Sequence, residues 1–89
     1  MFNNWELDAL YEKVKEFRDT IKNNNNMLDY YVELKNANRN DQLYGWMFAG
    51  DAILNDTPED LDLYQTGYIR DILTIYKNEL ENIILKINL

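Results

Sequence analysis

Apolar positions recur at steps of three and four along most of this chain, the spacing that lines one side of an α-helix. Strand-like alternation shows only briefly, from Leu61 to Tyr64. The most apolar stretch is Leu43 to Leu54, LYGWMFAGDAIL. At 100° per residue Leu43, Met47 and Leu54 share one side, Tyr44 and Phe48 the next, and Trp46 and Ile53 the opposite flank, with Asp51 the single interruption. A helix that is apolar all round is enclosed by other helices, and this one is too short to span a bilayer. It predicts a buried central helix. Gly45, Ala49 and Ala52 fall on one side, where lack of bulk lets a neighbouring backbone approach. Each helical glycine costs about 1 kcal/mol relative to Ala, so Gly45 and Gly50 point to close packing, with a break at Gly50 as the alternative.

Ahead of that stretch, Asn3 and Glu6 have the spacing of an N-cap and its reciprocating acid. They open the apolar series Leu7, Leu10, Val14, Phe17, Ile21, which predicts a helix over about residues 4 to 23. The run Asn23 to Asn26 predicts a turn. Met27, Tyr30, Tyr31, Leu34 and Ala37 then predict a second helix from about 27 to 38, with one tyrosine buried, one at the edge, and Asp29, Glu33 and Lys35 in solvent. Asn40 or Asp41 is placed to cap the central helix.

Beyond it, Thr57 fits a cap, Pro58 the first helical position, and Glu59 and Asp60 complement the exposed amides of a first turn. That helix takes in Leu61, Tyr64 and Tyr68, unless Gln65-Thr66-Gly67 ends it and another begins near Tyr68. Ile69, Ile72, Leu73, Tyr76, Leu80, Ile83, Ile84 and Ile87 form a wide apolar stripe, opposite the wet face of Arg70, Lys77, Asn78 and Glu81. The pattern predicts an all-α, compact antiparallel bundle of four helices, five if Gly67 is a break, forming one domain over residues 1–89.

Composition changes this picture little. With 46% hydrophobic residues, among them seven Tyr, the chain is too apolar for a disordered acidic tail. The start MFNNWELDAL lacks the basic-then-apolar pattern of a secretory signal, so a cytoplasmic location is expected. Charge changes it more. The formal net charge is −7, and residues 40 to 69 carry six acids and no base. Such a field opposes the phosphate backbone and favours a basic partner, so no direct nucleic-acid binding is expected.

Candidate chemistry is limited by what is missing. Without a single His, Cys or Ser, the usual nucleophile and imidazole-base arrangements cannot be assembled. The three glycines, at 45, 50 and 67, make no phosphate-binding loop. A non-enzymatic protein without cofactor is expected. Glu12, Glu16 and Asp19 share a helical side and have the geometry to hold a hard cation, but Lys13 and Lys15 neutralise them and no facing acid cluster answers them, so no metal is expected.

Asp51 is the residue that most needs explaining, since an unpaired buried carboxylate costs several kcal/mol. It is either paired internally, with Arg70 or a tyrosine hydroxyl, or exposed beside Tyr44 and Met47 and continuous with Asp56, Glu59, Asp60 and Asp62. In the second case aromatic rings supply buried area and carboxylates steer a basic protein surface. The leading expectation is an inhibitor-like acidic binding protein, of phage or mobile-element anti-defence, immunity or antitoxin type and in some cases imitating DNA charge, docked on a protein that handles nucleic acid. This expectation is an analogy from size and charge. One alternative is a homo-oligomeric scaffold joined through Leu85 and Leu89, which lie off the C-terminal stripe. The other is a nucleotide-sequestering protein using Tyr11 with Lys15, Arg18 and Lys22, an aromatic among cations.

Overall fold

The computed structural model describes residues 4–37, 42–56, 58–61 and 64–88, with side chains described outside 42–45, 58 and 88. Among these residues the chain forms five α-helices, α1 (Trp5–Lys22), α2 (Asn25–Ala37), α3 (Gln42–Asn55), α4 (Pro58–Leu61) and α5 (Thr66–Asn88), and no strand. No described helix is long and apolar enough to cross a membrane.

The helix starts follow from side-chain capping. Asn4, one residue later than expected, accepts from the backbone amides of Glu6 at 2.9 Å and Leu7 at 3.2 Å. With Asn4 as cap, the third helical residue is Leu7, which cannot reciprocate as an acid would. The asparagine run is a tighter turn than its composition suggested. Asn23 closes α1 by donating its amide to the carbonyl of Asp19 at 3.0 Å while the Asn24 amide donates to that of Ile21 at 3.2 Å, and the Asn24 side chain opens α2 by accepting from the Met27 amide at 3.1 Å. Asn25 and Asn26 are therefore already helical. Asn3, Asn40, Asp41 and Thr57, the other expected capping residues, lie outside the described residues.

Packing is centred on α5, which lies most extensively against α1 and also meets α3 and α2. Its expected stripe holds, with Ile69, Ile72, Leu73, Tyr76, Leu80 and Ile83 buried and Ile84 and Ile87 packed at the margin. Gly67 lies inside α5 and is not a break; the chain leaves helical geometry before Thr66 instead. Because α5 starts there, Tyr64 and Tyr68 do not continue the buried stripe and are exposed. On α1 the buried face is Leu7, Tyr11, Val14, Arg18 and Ile21, rotated from the expected stripe so that Leu10 and Phe17 are only half-buried. From Trp46 onward the residues of α3 are buried or half-buried, except Ala52 and Asn55. Ala52 was expected at a close helix contact and instead faces solvent.

The close contact is made by Gly50. A Cβ built there would sit 2.3 Å from Cγ and Cδ2 of Tyr76 and 2.9 Å from its Cβ. These atoms are the root of a fully buried ring that has nowhere to go. The helix is unbroken at Gly50, so the propensity cost of the glycine is offset by letting the Tyr76 ring lie directly on the α3 backbone. Gly67 has no atom within 4 Å of a built Cβ. We predict that Gly50→Ala destabilises the fold by about 1–3 kcal/mol through overpacking, whereas Gly67→Ala is neutral or stabilises by up to about 1 kcal/mol. Urea denaturation of both variants checks this, and equal stabilities would contradict the close approach.

Candidate functional site

Two groups of acids separate in the structure, one turned inward at Asp51 and one outward between Asp56 and Asp60. Gly50 brings Tyr76 onto α3, and the next residue, Asp51, meets the end of that ring. The Tyr76 hydroxyl donates to Asp51 Oδ1 at 2.6 Å, and the Tyr31 hydroxyl from α2 donates to Oδ2 at 2.8 Å. The two hydroxyl oxygens are themselves 2.7 Å apart. Three short contacts share two hydroxyl protons, so at any moment one contact carries none. Lys35, one turn beyond Tyr31, donates its Nζ to Oδ2, and the Arg18 guanidinium of α1 lies 3.6 Å from Oδ1. Arg18 Nη1 also donates to Asn55 Oδ1 at 3.1 Å. The Lys35 ammonium is further held over the rings of Phe48 at 4.8 Å and Tyr31 at 5.7 Å, contacts that favour a cation.

One carboxylate thus joins α1, α2, α3 and α5. Burial pushes the Asp51 carboxyl upward, but hydrogen bonds from Lys35, Tyr76 and Tyr31 outweigh it and hold the group below the ordinary carboxylate value of 3.8. Burial pushes Tyr31 and Tyr76 in the opposite sense to that net result, well above the ordinary 10.0, and the neighbouring Asp51 charge adds to the effect in both. The Asp51 carboxylate is satisfied there, although the buried Arg18 Nε–H beside it has no acceptor among the described residues. Among the described residues the junction presents no unattached nucleophile.

The internal reading of Asp51 therefore holds, with Tyr31, Tyr76, Lys35 and Arg18 as partners and not Arg70, which is exposed. Met47 is fully buried and does not belong to a docking surface. Tyr44 lies outside the residues whose side chains are described, and Asp62 and Leu89 lie outside the described residues. The cluster expected for a nucleotide is split. Tyr11 is buried, its hydroxyl donating to the Leu54 carbonyl at 3.4 Å, and Arg18 is buried, while Lys15 and Lys22 are exposed. The Tyr11 ring is therefore not free for a base to stack on. Leu85 is exposed, as its position off the stripe implied. Glu12, Glu16 and Asp19 flank an open groove together with Lys15, and among the described residues no group of three acids is placed to hold a metal ion.

The outward group is continuous with the segment that carries no base. Glu59 and Asp60 on α4 are exposed and Asp56 is half-buried, one of its oxygens lacking a hydrogen-bond partner. Beside them Tyr64 and Tyr68 stack, ring centroids 5.6 Å apart and planes 15° from parallel, with 40% and 46% of their surface exposed. The Asp56 charge is the largest influence on the Tyr64 hydroxyl, raising its pKa, and Asp60 adds to it. The stack was not anticipated from sequence, where both tyrosines were assigned to a helical stripe. No protein-family model matches this chain, and neither does any curated protein or solved structure.

The inward network predicts how stability depends on pH. Asp51 ionises more readily folded than unfolded, so its contribution is complete above about pH 4 and is lost as pH falls through the folded value. Tyr31 and Tyr76 behave inversely. Their unfolded forms ionise near 10.0 while the folded forms stay neutral, so stability falls as pH rises beyond that value. Urea denaturation across the pH range is expected to show both limbs, and Asp51→Asn is expected to flatten the acid one. An acid limb unchanged by that substitution would contradict the assignment.

Proposed function

We propose that this protein is a small, non-enzymatic acidic binding protein that docks the surface formed by Asp56, Glu59, Asp60, Tyr64 and Tyr68 on a basic site of a protein partner. The observation that carries the reading is the exposed Tyr64–Tyr68 stack beside those acids, in a segment from residue 40 to 69 without a single Lys or Arg. A stacked aromatic pair in water is area ready to be buried at low entropic cost, and carboxylates around it accelerate and orient the approach of Lys and Arg. Tyr64 and Tyr68 take the place expected of Met47 and Asp51, which are turned inward. Partners of this chemistry are proteins that handle nucleic acid, and the role is that of a cytoplasmic inhibitor of the anti-defence, immunity or antitoxin kind, occupying a site made for phosphate.

The test compares capture of lysate proteins by the wild type, by an Asp56→Lys/Glu59→Lys/Asp60→Lys variant, and by a control with Glu12, Glu16 and Glu33 reversed to Lys. All three are checked for helicity by circular dichroism. A stoichiometric basic partner, released as salt rises, should bind the first variant at least roughly 100-fold more weakly and the control nearly as well as wild type. Equal loss in both variants would reduce the effect to net charge and overturn the proposed surface.

A further inference from the structure

Four aromatic rings among the described residues have a lysine ammonium over them. Lys13 lies 5.4 Å from the Phe17 centroid and Lys86 4.8 Å from that of Tyr30, while Lys35 serves both Tyr31 and Phe48. Among the described residues no cation lies over the exposed pair Tyr64 and Tyr68. The segment from residue 40 to 69 has no base to supply one. Arg70 follows Tyr68 by two positions on α5, and helical residues two apart do not face each other. The two rings are 15° from parallel with centroids 5.6 Å apart, farther than the roughly 3.5–4.0 Å of carbon–carbon contact. They are therefore offset and form a ledge longer than one ring. The charges of Asp56 and Asp60 both act on the Tyr64 hydroxyl, which places acids at one end of that ledge.

We infer that this ledge receives an arginine of the basic partner in preference to a lysine, the guanidinium lying flat against the exposed rings with its N–H edge toward the acids at their end. The inference rests on the docking surface proposed above and names the side chain which that surface selects. Charge alone does not distinguish the two bases, since acids steer both alike. Shape and hydration do. A guanidinium is planar and weakly hydrated, so it covers offset rings while its in-plane donors stay available to a carboxylate. An ammonium is a compact, strongly hydrated point charge, and over rings still in contact with solvent it gains less. The internal lysines show the arrangement that suits an ammonium, a ring with an oxygen at the same nitrogen. Lys35 has Asp51, and Lys86 has the Tyr30 hydroxyl at 2.9 Å.

The experiment is an NMR titration with two peptides of equal charge, acetyl-Gly-Arg-Gly-Arg-Gly-amide and its counterpart with Lys at both basic positions, at one salt concentration. The arginine peptide should bind at least roughly threefold more tightly, its side-chain δ protons shifted upfield by the rings and cross-relaxing with the Tyr68 ring protons. Tyr68→Leu, at an exposed helical position, should lower the arginine peptide to the level of the lysine peptide and leave the latter unchanged. Tyr68→Phe, which keeps the ring, should keep the preference. No saturable shift with the arginine peptide, equal affinity for the two peptides, or a preference that survives Tyr68→Leu would each overturn the inference. The docking surface itself is read separately, from the Asp56→Lys/Glu59→Lys/Asp60→Lys variant. Loss of both peptides there upholds the surface even when the preference for arginine fails, and undiminished binding of both removes the surface and the inference together.

Discussion

Burying a carboxylate among apolar helices costs several kcal/mol unless its lone pairs are met and its charge is matched. The helix α3 carries such a group at Asp51, and the arrangement of the other helices reads as the set of solutions to that cost. Tyr31 and Lys35 come from adjacent turns of α2, Tyr76 from α5, and Arg18 from α1. Tyr76 reaches the carboxylate only because Gly50 leaves no Cβ in its way. A chain of 89 residues has little apolar area to spare, and hydrophobic burial is non-directional. The polar junction supplies the direction, since one rotation of each helix alone brings its donor to the same two oxygens.

Much of this fold was legible in the sequence because it rests on local rules. Steps of three and four found α1, α2 and α5, an apolar surface all round found α3, Pro58 with Glu59 and Asp60 found the start of α4, and Tyr30 and Tyr31 divided into edge and core as adjacent aromatics do. Capping was legible only to within a residue, because neighbouring asparagines such as Asn3 and Asn4 are chemically equivalent and backbone geometry decides between them. What periodicity could not supply was the phase of a face. On α1 Arg18 stands outside the predicted apolar series, yet it is buried because α3 offers Asp51 and Asn55 to receive it. Lys35 was assigned to solvent for the same reason. Its position four residues after Tyr31 was the available signal, since that spacing places both on one side of α2.

The acids of the central segment were legible as a charge excess but not as two populations. Asp51 is consumed internally, and its negative charge is matched close by; Glu59, Asp60 and part of Asp56 contribute to the outer field. The separation matters for function. A partner is steered by exposed charge, whereas removing an internal carboxylate acts first on the fold. The same separation applies to the aromatic residues, with Tyr31 and Tyr76 held inside by hydrogen bonds and Tyr64 and Tyr68 stacked outside. Stability and recognition therefore draw on the same two residue types at different positions.

The dependence of the whole fold on one carboxylate is tested most directly by the unfolding free energy of Asp51→Ala, measured by urea denaturation near neutral pH. Removing the shared acceptor leaves Arg18, Lys35 and two tyrosine hydroxyls without their common partner, and a loss of about 3 kcal/mol or more is expected. A change within about 0.5 kcal/mol, the range of an ordinary surface substitution, would contradict it.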